Sequence, residues 1–92
     1  MEKTIPKIAV LLAAYNGSTY IAQQLDSILQ QNGVDIQVFV SVDQSTDGTE
    51  SFIATCASTE SRLTVLPFGQ RFGGAGPNFF RLLQDVDLSG FD

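Results

Sequence analysis

The segment from Val34 to Thr49 constrains the fold more than any other part of the sequence. Its apolar residues recur at the two-residue period of a β-strand, at Ile36, Val38, Val40 and Val42. An acid, Asp43, follows directly, and a polar turn then leads into the start of a helix. Open α/β sheets bind their ligands where strands end before such loops. Asp43 is therefore the first candidate for a ligand contact.

A second strand and a helix precede this segment. The residues from Ile8 to Ala14 are continuously apolar, which is typical of a strand covered on both faces in a parallel sheet. Asn16 or Ser18 is placed to cap the helix that follows, and Asn32-Gly33 is placed to end it. The apolar stripe of this helix is predicted at Ile21, Leu25, Ile28 and Leu29.

The rest of the chain predicts two more helices and one strand. Asp47 and Glu50 have the spacing of a capping box, ahead of a buried helix face at Thr49, Phe52, Ile53 and Cys56. A short strand is predicted from Leu63 to Leu66, before Pro67. A glycine-rich loop over residues 68–76 carries Arg71. A third helix then begins with Pro77 at its first position, with an apolar stripe at Phe79, Leu82, Leu83 and Val86.

This β-α-β-α-β-α order predicts an α/β fold, a three-layer Rossmann-like parallel sheet with right-handed connections. The chain has 92 residues, which is enough for one domain at most. Three parallel strands make a thin sheet, so we expect half of a larger α/β domain.

The amino-acid composition narrows the classes of protein to which this chain can belong. With 43% apolar and 16% charged residues the chain is globular rather than disordered. A net charge of −5 with no histidine argues against binding to nucleic acid or to an anionic membrane surface. Cys56 is the only cysteine, so no internal disulfide forms, and we expect it to be a small core residue. No segment approaches transmembrane length.

The carboxyl ends of parallel strands lie along one edge, so the segments 13–17, 43–46 and 67–71 should converge. There Asp43 can accept a hydrogen bond from a base imide or a ribose hydroxyl, and Tyr15 can lie against a base. An alternative is equally compatible with the residues. In it Tyr15 is a packing residue, and Asp43 caps the turn through an Asx bond to the amides beyond it.

Two acidic patterns resemble metal sites without fitting them. Asp43 and Asp47 occupy the first and fifth places of a calcium loop, but the twelfth place, which needs a bidentate glutamate, is Ala54. Asp85-Val86-Asp87 is an acid-x-acid triplet, yet it lies at the tail of a predicted helix rather than at a strand end. We therefore expect a solvated helix end and no metal ligands in this chain.

Three spaced motifs together resemble a known family. They are Ala-Val-Leu-Leu-Ala-Ala-Tyr-Asn-Gly at 9–17, Gln-Leu-Asp-Ser-Ile-Leu-Gln-Gln at 24–31 and Val-Asp-Gln-Ser-Thr-Asp-Gly-Thr at 42–49. In order and spacing they resemble the N-terminal half of family 2 glycosyltransferases. The pair Phe72-Gly73, followed by Asn78-Phe79-Phe80, is most similar to the rhamnosyltransferase-type branch of that family.

The resemblance implies a GT-A fold, a nucleotide-diphosphate sugar donor with Mg²⁺ or Mn²⁺, and inversion by a single in-line displacement. It assigns nucleotide-binding roles to five residues. In the family, the residues that match Ala14, Tyr15 and Asn16 line the base pocket after the first strand. The residue that matches Asp43 hydrogen-bonds uracil or thymine, and the one that matches Asn78 lies near the donor. The chain departs from the family motif at Val42, where the family has an acid, and at Gln44, where it has a glycine.

The family's metal-binding acid triplet and general base follow the segment that this sequence resembles. The resemblance therefore implies that residues 1–92 are the N-terminal nucleotide-binding part of an incomplete GT-A domain, with no catalytic residue and no activity alone. The expected partners are a UDP- or dTDP-sugar and a saccharide or lipid-linked acceptor in polysaccharide biosynthesis. We expect a cytoplasmic location, at the inner face of the membrane through a parent chain.

Two further expectations follow. In the GT-A arrangement the first strand is central, so a chain without the next strand should self-associate through an exposed apolar sheet edge. The alternative function is that of a non-catalytic α/β module that binds a nucleotide or a protein partner.

Overall fold

The computed structural model describes residues 5–17, 19–31, 33–67 and 71–91. Strands and helices alternate along the described chain, which confirms the predicted α/β order. The elements are β1 (Lys7–Ala14), α1 (Ile21–Leu29), β2 (Asp35–Val42), α2 (Thr49–Thr59), β3 (Leu63–Val65) and α3 (Ala75–Asp85).

The three strands form one parallel sheet in the order β1-β2-β3. β1 pairs with β2 along its whole length, from Lys7 opposite Asp35 to Ala14 opposite Val42. The shorter β3 pairs with the middle of β2, starting with Val38 opposite Leu63. All three strands point the same way, so their carboxyl ends lie along one edge, as predicted.

Helices cover both faces of the sheet, which confirms the three-layer architecture. One face packs against α1 and α2 and forms the main core, with buried side chains from Ala14, Ile21, Leu25, Ile36, Val38, Val40, Val42, Ile53 and Leu63. The opposite face contacts α3 through β1 and β2. On that face the ring of Phe91 meets Phe39 edge-on, with 5.9 Å between the ring centroids.

The predicted apolar stripe of α3 is wrong for two of its four members. Leu82 and Val86 are buried, but Phe79 is 42% exposed and Leu83 is 49% exposed. The other buried residue of this segment is polar Asn78, four residues before Leu82. The helix is rotated about its axis relative to the prediction because the amide of Asn78 finds hydrogen-bond partners on the sheet.

The start of α3 also differs from the prediction. The helix begins at Ala75, with Gly74 as the N-cap residue, so Pro77 occupies the third helical position rather than the first. This position is still in the first turn, where backbone N–H groups have no partner within the helix. A proline there costs no helical hydrogen bond.

The predicted capping box of α2 is wrong in its geometry. The N-cap residue is Gly48, at φ +86°, with no side-chain cap hydrogen bond. Asp47 accepts hydrogen bonds from the backbone N–H of Thr49, at 3.1 Å, and from its hydroxyl. Glu50 accepts from the backbone N–H of Ser45 at 3.2 Å. Both acids hold the turn before the helix instead of capping each other's backbone.

The ends of α1 are set by backbone turns. Its N-cap residue is Tyr20, which makes no side-chain cap hydrogen bond, so the prediction that Asn16 caps this helix is wrong. The alternative cap Ser18, the predicted terminator Asn32 and residues 68–70 of the predicted loop lie outside the described residues. None of the three described helices is long and apolar enough to cross a bilayer.

Candidate functional site

The loops after β1 and β2 are joined at the carboxyl edge of the sheet. Asn16, at φ +46°, donates its backbone N–H to Ser45 Oγ at 3.0 Å. Its side-chain Oδ1 accepts the backbone N–H of Thr46 at 2.8 Å. The left-handed backbone that asparagine tolerates turns the loop so that both bonds form at once.

A second contact brings the first loop against the start of α2. Gly17 donates its backbone N–H to the buried hydroxyl of Thr49 at 2.9 Å. A Cβ at position 17 would lie 2.8 Å from the far end of the Tyr20 ring, so the ring would have to shift. A larger residue at position 17 would therefore displace the ring of Tyr20, which is 45% exposed.

The carboxylate of Asp43 organises the loop that precedes α3. Its side chain is only 2% exposed. Oδ1 accepts the backbone N–H groups of Gln44, at 2.9 Å, and Phe72, at 2.6 Å. Oδ2 accepts the backbone N–H of Gly74 at 3.1 Å. The bond to Gln44 is of the kind that the alternative prediction expected, and the two longer-range bonds tie residues 71–74 to the end of β2.

These bonds also set the charge of Asp43. Burial by itself raises the pKa of the carboxyl, but the backbone N–H groups of Phe72, Gly74, Gln44 and Gly73 outweigh it. The pKa of Asp43 is therefore held below the usual value for aspartate, and the side chain is a carboxylate at neutral pH.

Asn78 joins the ends of β1 and β2 from the other face of the sheet. Its Nδ2 donates to the carbonyl oxygens of Ala14, at 3.2 Å, and Ser41, at 3.0 Å. Its Oδ1 accepts the hydroxyl of Ser41 at 2.5 Å. The side chain is 1% exposed and every group of its amide is used within the protein. Asn78 and Ala14 thus lie beneath the surface of the site.

Arg81, one turn further along α3, extends this contact to the end of β3. Its Nη1 donates to Ser41 Oγ at 2.9 Å and its Nη2 to the carbonyl of Pro67 at 2.6 Å. Nε donates to Asp85 at 2.8 Å, and the guanidinium lies over the ring of Phe72, 5.1 Å from its centroid. Each nitrogen of the guanidinium therefore donates to a partner within the protein.

A pocket of about 230 Å³ opens at this edge, lined by Tyr15, Asp43, Arg71, Gly73 and Gly74. The structure therefore brings together Tyr15 and Asp43, the two side chains singled out as base contacts. Tyr15 is 54% exposed, so its ring is available to a ligand. Gly73 and Gly74, predicted only as part of a glycine-rich loop, line the pocket as well. Their φ values of +92° and +130° lie in the region that favours glycine, so the only sequence signal of their place is the residue type itself.

The acids of the described residues do not form a metal site. No three histidine, cysteine, aspartate or glutamate side chains come together within the parts of the chain that the structure describes. In the acid-x-acid triplet Asp85 pairs with Arg81, Asp87 accepts the backbone N–H of Ser89 at 3.0 Å, and Val86 is buried. Those two carboxylates do not fit a shared cation.

Comparison with known proteins agrees with the resemblance seen in the sequence. The family model described as glycosyl transferase family 2 matches residues 9–84. The dTDP-rhamnosyl transferase RfbG of Shigella flexneri is 46% identical over 82 residues, 88% of this chain and 28% of that protein. The succinoglycan biosynthesis protein ExoO of Rhizobium meliloti is 34% identical over 71 residues, 77% of this chain and 20% of that protein.

A solved structure supports the same assignment. The mannosyltransferase PcManGT from Pyrobaculum calidifontis, in complex with GDP-Man and Mn²⁺, superposes with a TM-score of 0.69 at 29% identity. The match covers 90% of this chain and 25% of that enzyme, and it confirms the GT-A type of α/β fold. The chain spans less than a third of each of these relatives. Since the family model covers most of its length, the chain belongs to glycosyl transferase family 2 and is similar to the rhamnosyltransferases of that family.

Proposed function

We propose that residues 1–92 are the N-terminal nucleotide-binding part of a GT-A glycosyltransferase domain. The domain transfers a sugar, with inversion, from a nucleotide-diphosphate sugar to an acceptor hydroxyl. One observation carries the proposal. The exposed ring of Tyr15 and the ionised carboxylate of Asp43 line the same pocket at the carboxyl edge of the sheet.

The carboxylate of Asp43 favours a base with an imide N–H. Oδ1 accepts the backbone N–H groups of Gln44 and Phe72, Oδ2 accepts that of Gly74, and the carboxylate lines the pocket. An ionised carboxylate can only accept hydrogen bonds, so the ligand group that meets it must be a donor. Thymine and uracil present such a donor at N3, while the N3 of cytosine is an acceptor.

The remaining predicted residues shape the pocket around this contact. Tyr15 packs its ring against the base, as aromatic side chains do with planar ligands. Ala14 and Asn16 supply the backbone wall after β1, and Asn78 holds the carbonyl of Ala14 from below. Their assignment to nucleotide binding stays a prediction that rests on the family resemblance.

The relatives suggest which donor to test first. The most similar relative described above is a dTDP-rhamnosyl transferase, so dTDP-rhamnose is the proposed donor, with a UDP-sugar as the second choice. The structural neighbour carries GDP-Man, and guanine also has a ring N–H donor, which makes GDP an informative competitor. The proposed acceptor is a saccharide or a lipid-linked saccharide in polysaccharide biosynthesis, at the cytoplasmic face of the membrane.

We place the catalytic steps outside this segment. A divalent cation bound in the complete enzyme offsets charge on the leaving diphosphate. The described acids do not fit that ion, and no described residue is assigned as the base that activates the acceptor hydroxyl. The proposal is therefore that this chain alone binds the nucleotide but does not transfer sugar.

We also propose that the isolated chain self-associates through β1. Within the described residues β1 pairs with β2 on one side and with no strand on the other. The side chain of Arg81 extends from α3 towards β3, since it reaches the carbonyl of Pro67. Leu83 lies about 200° around the helix from Arg81 and so on the opposite flank of α3. Leu83 therefore lies on the flank nearest the open edge of β1, where a second copy would cover both.

Calorimetric titration of the chain with dTDP, UDP, GDP and CDP tests the base contact. We expect dTDP and UDP to bind about tenfold or more tightly than CDP, because the cytosine ring lacks the imide donor. Tyr15→Ala should weaken dTDP binding, while Phe80→Ala, which removes an exposed ring elsewhere, should not. Equal binding of dTDP and CDP would reject the role of Asp43. The absence of any nucleotide binding would favour the non-catalytic alternative.

A further inference from the structure

Arg81 is the point at which the ends of β2 and β3 and the loop over the pocket meet. Through Ser41 Oγ it contacts the end of β2, and through the carbonyl of Pro67 it contacts the chain leaving β3. Its guanidinium also covers the ring of Phe72, whose backbone N–H donates to Asp43. A single side chain thus links two strand ends to the loop that lines the pocket.

The contacts of Arg81 continue through Ser41 to the end of β1. The hydroxyl of Ser41 accepts from Arg81 and donates to Asn78, and Asn78 donates to the carbonyl of Ala14. Ser41 and Asn78 are both buried, and every buried polar side-chain atom in the described residues has a hydrogen-bond partner. Such fully satisfied buried networks are rigid and favour one arrangement of the groups that they join.

The geometry of Arg81 suits positioning rather than ligand binding. Each of its three nitrogens already donates within the protein, to Asp85, Ser41 and Pro67, and its side chain is 12% exposed. Only a planar guanidinium can serve three acceptors in different directions while one face lies on an aromatic ring. A lysine at this position could keep the charge but not these contacts.

We propose that Arg81 is a positioning residue for nucleotide binding. Its guanidinium packs against the ring of Phe72 and fixes the position of that residue. The backbone N–H groups of Phe72 and Gly74 then stay hydrogen-bonded to the carboxylate of Asp43, and the pocket keeps its shape. This inference rests on the proposed function for its consequence, which is nucleotide affinity. Its structural part, the ordering of residues 71–74 by Arg81, can be measured without any nucleotide.

The test compares Arg81→Lys with Arg62→Lys. Arg62 is the control because it also joins separate parts of the fold, donating to Glu60 and to the carbonyl of Leu29. It lies just before β3, at the amino ends of the strands and away from the pocket. Amide hydrogen exchange by NMR is measured for Phe72 and Gly74 in each variant, beside the global unfolding free energy from urea. The affinity for dTDP is then measured by calorimetry.

We expect Arg81→Lys to speed exchange at Phe72 and Gly74 by about tenfold relative to Arg62→Lys, after correction for global stability. The affinity for dTDP should fall by a similar factor. If both variants alter exchange at Phe72 and Gly74 only in proportion to their loss of global stability, the positioning role is overturned. If exchange responds as expected but the unsubstituted chain does not bind dTDP, the loop-ordering role of Arg81 stands and the nucleotide-binding function fails.

Discussion

Asn16 and Thr46 are joined by a hydrogen bond of 2.8 Å, from the backbone N–H of Thr46 to the side-chain Oδ1 of Asn16. Thirty residues separate them in the chain, and each lies in a loop that follows a strand. The bond fixes one loop against the other at the carboxyl edge, beside the pocket. Because Asn16 also has a positive φ, both its side chain and its backbone conformation are under constraint.

Substitution at Asn16 separates these two constraints. Asn16→Ala removes the acceptor and places a side chain that disfavours positive φ, so we expect a loss of about 2 kcal/mol in unfolding free energy. Asn16→Asp keeps an acceptor and tolerates the same backbone, and it should stay within about 0.5 kcal/mol of the unsubstituted chain. Urea unfolding measures both, and equal stability of the two variants would contradict this account.

Asn78 should be the most sensitive polar residue of α3. Asn78→Leu fills similar space but leaves the buried carbonyls of Ala14 and Ser41 without their side-chain donor. The substitution removes three hydrogen bonds of the Asn78 amide, each worth about 1 kcal/mol, so we expect a loss of about 3 kcal/mol in urea unfolding. Gln84→Leu, on the exposed side of the same helix, is the control and should change stability by less than about 0.5 kcal/mol. Similar losses in both would show that the Asn78 contacts contribute little.

Much of this fold could be predicted from the sequence because its strands and helices follow simple periods. The alternation from Ile36 to Val42 and the apolar run of β1 predicted the strands of the sheet. The apolar stripe of α1 predicted the buried face of that helix. The face of α3 was predicted wrongly because hydrophobic periodicity favours Phe79 and Leu83. It cannot show that Asn78 is buried with all its hydrogen bonds satisfied.

The site was predictable only in outline. Tyr15 and Asp43 follow strands in the sequence, so their meeting at one edge follows from parallel topology. The partners of Asp43 at Phe72 and Gly74 lie 29 and 31 residues further on, and no local pattern indicates them. The internal role of Arg81 was hidden for the same reason, since its acceptors belong to β2 and to the chain after β3.

The lowered pKa of Asp43 predicts a dependence of stability on pH. The folded state favours the carboxylate, so its contribution is fully present above the pKa of an unfolded aspartate, about 3.9. It is lost as pH falls below that value through the lower pKa of the folded state. We expect the stability difference between the unsubstituted chain and Asp43→Asn to be constant from pH 7 to about 5 and to shrink below about pH 4.

Urea unfolding at a series of pH values measures this difference. Asp35→Asn, at the exposed start of β2, controls for the loss of one negative charge. A stability difference for Asp43→Asn that grows as the pH falls would show that the site favours the protonated acid.

Self-association should depend on the flank of α3 nearest β1. Leu83→Lys places a charge there, and light scattering should show the average mass falling towards that of a monomer. Ala54→Lys adds the same charge on an exposed position of α2 and should leave the mass unchanged. A monodisperse monomer for the unsubstituted chain would contradict the proposed association.

The most direct test of the central claim is an NMR titration of the unsubstituted chain with dTDP. If the pocket binds the base, the largest amide shift changes will fall on Tyr15, Gln44, Phe72 and Gly74, and they will be lost in Asp43→Asn while its other amide signals show that it remains folded. Amides around the separate groove between α1 and α2, such as those of Leu25 and Cys56, should not shift. Shifts confined to that groove, or none anywhere at millimolar dTDP, would contradict the claim that this edge of the sheet recognises a nucleotide.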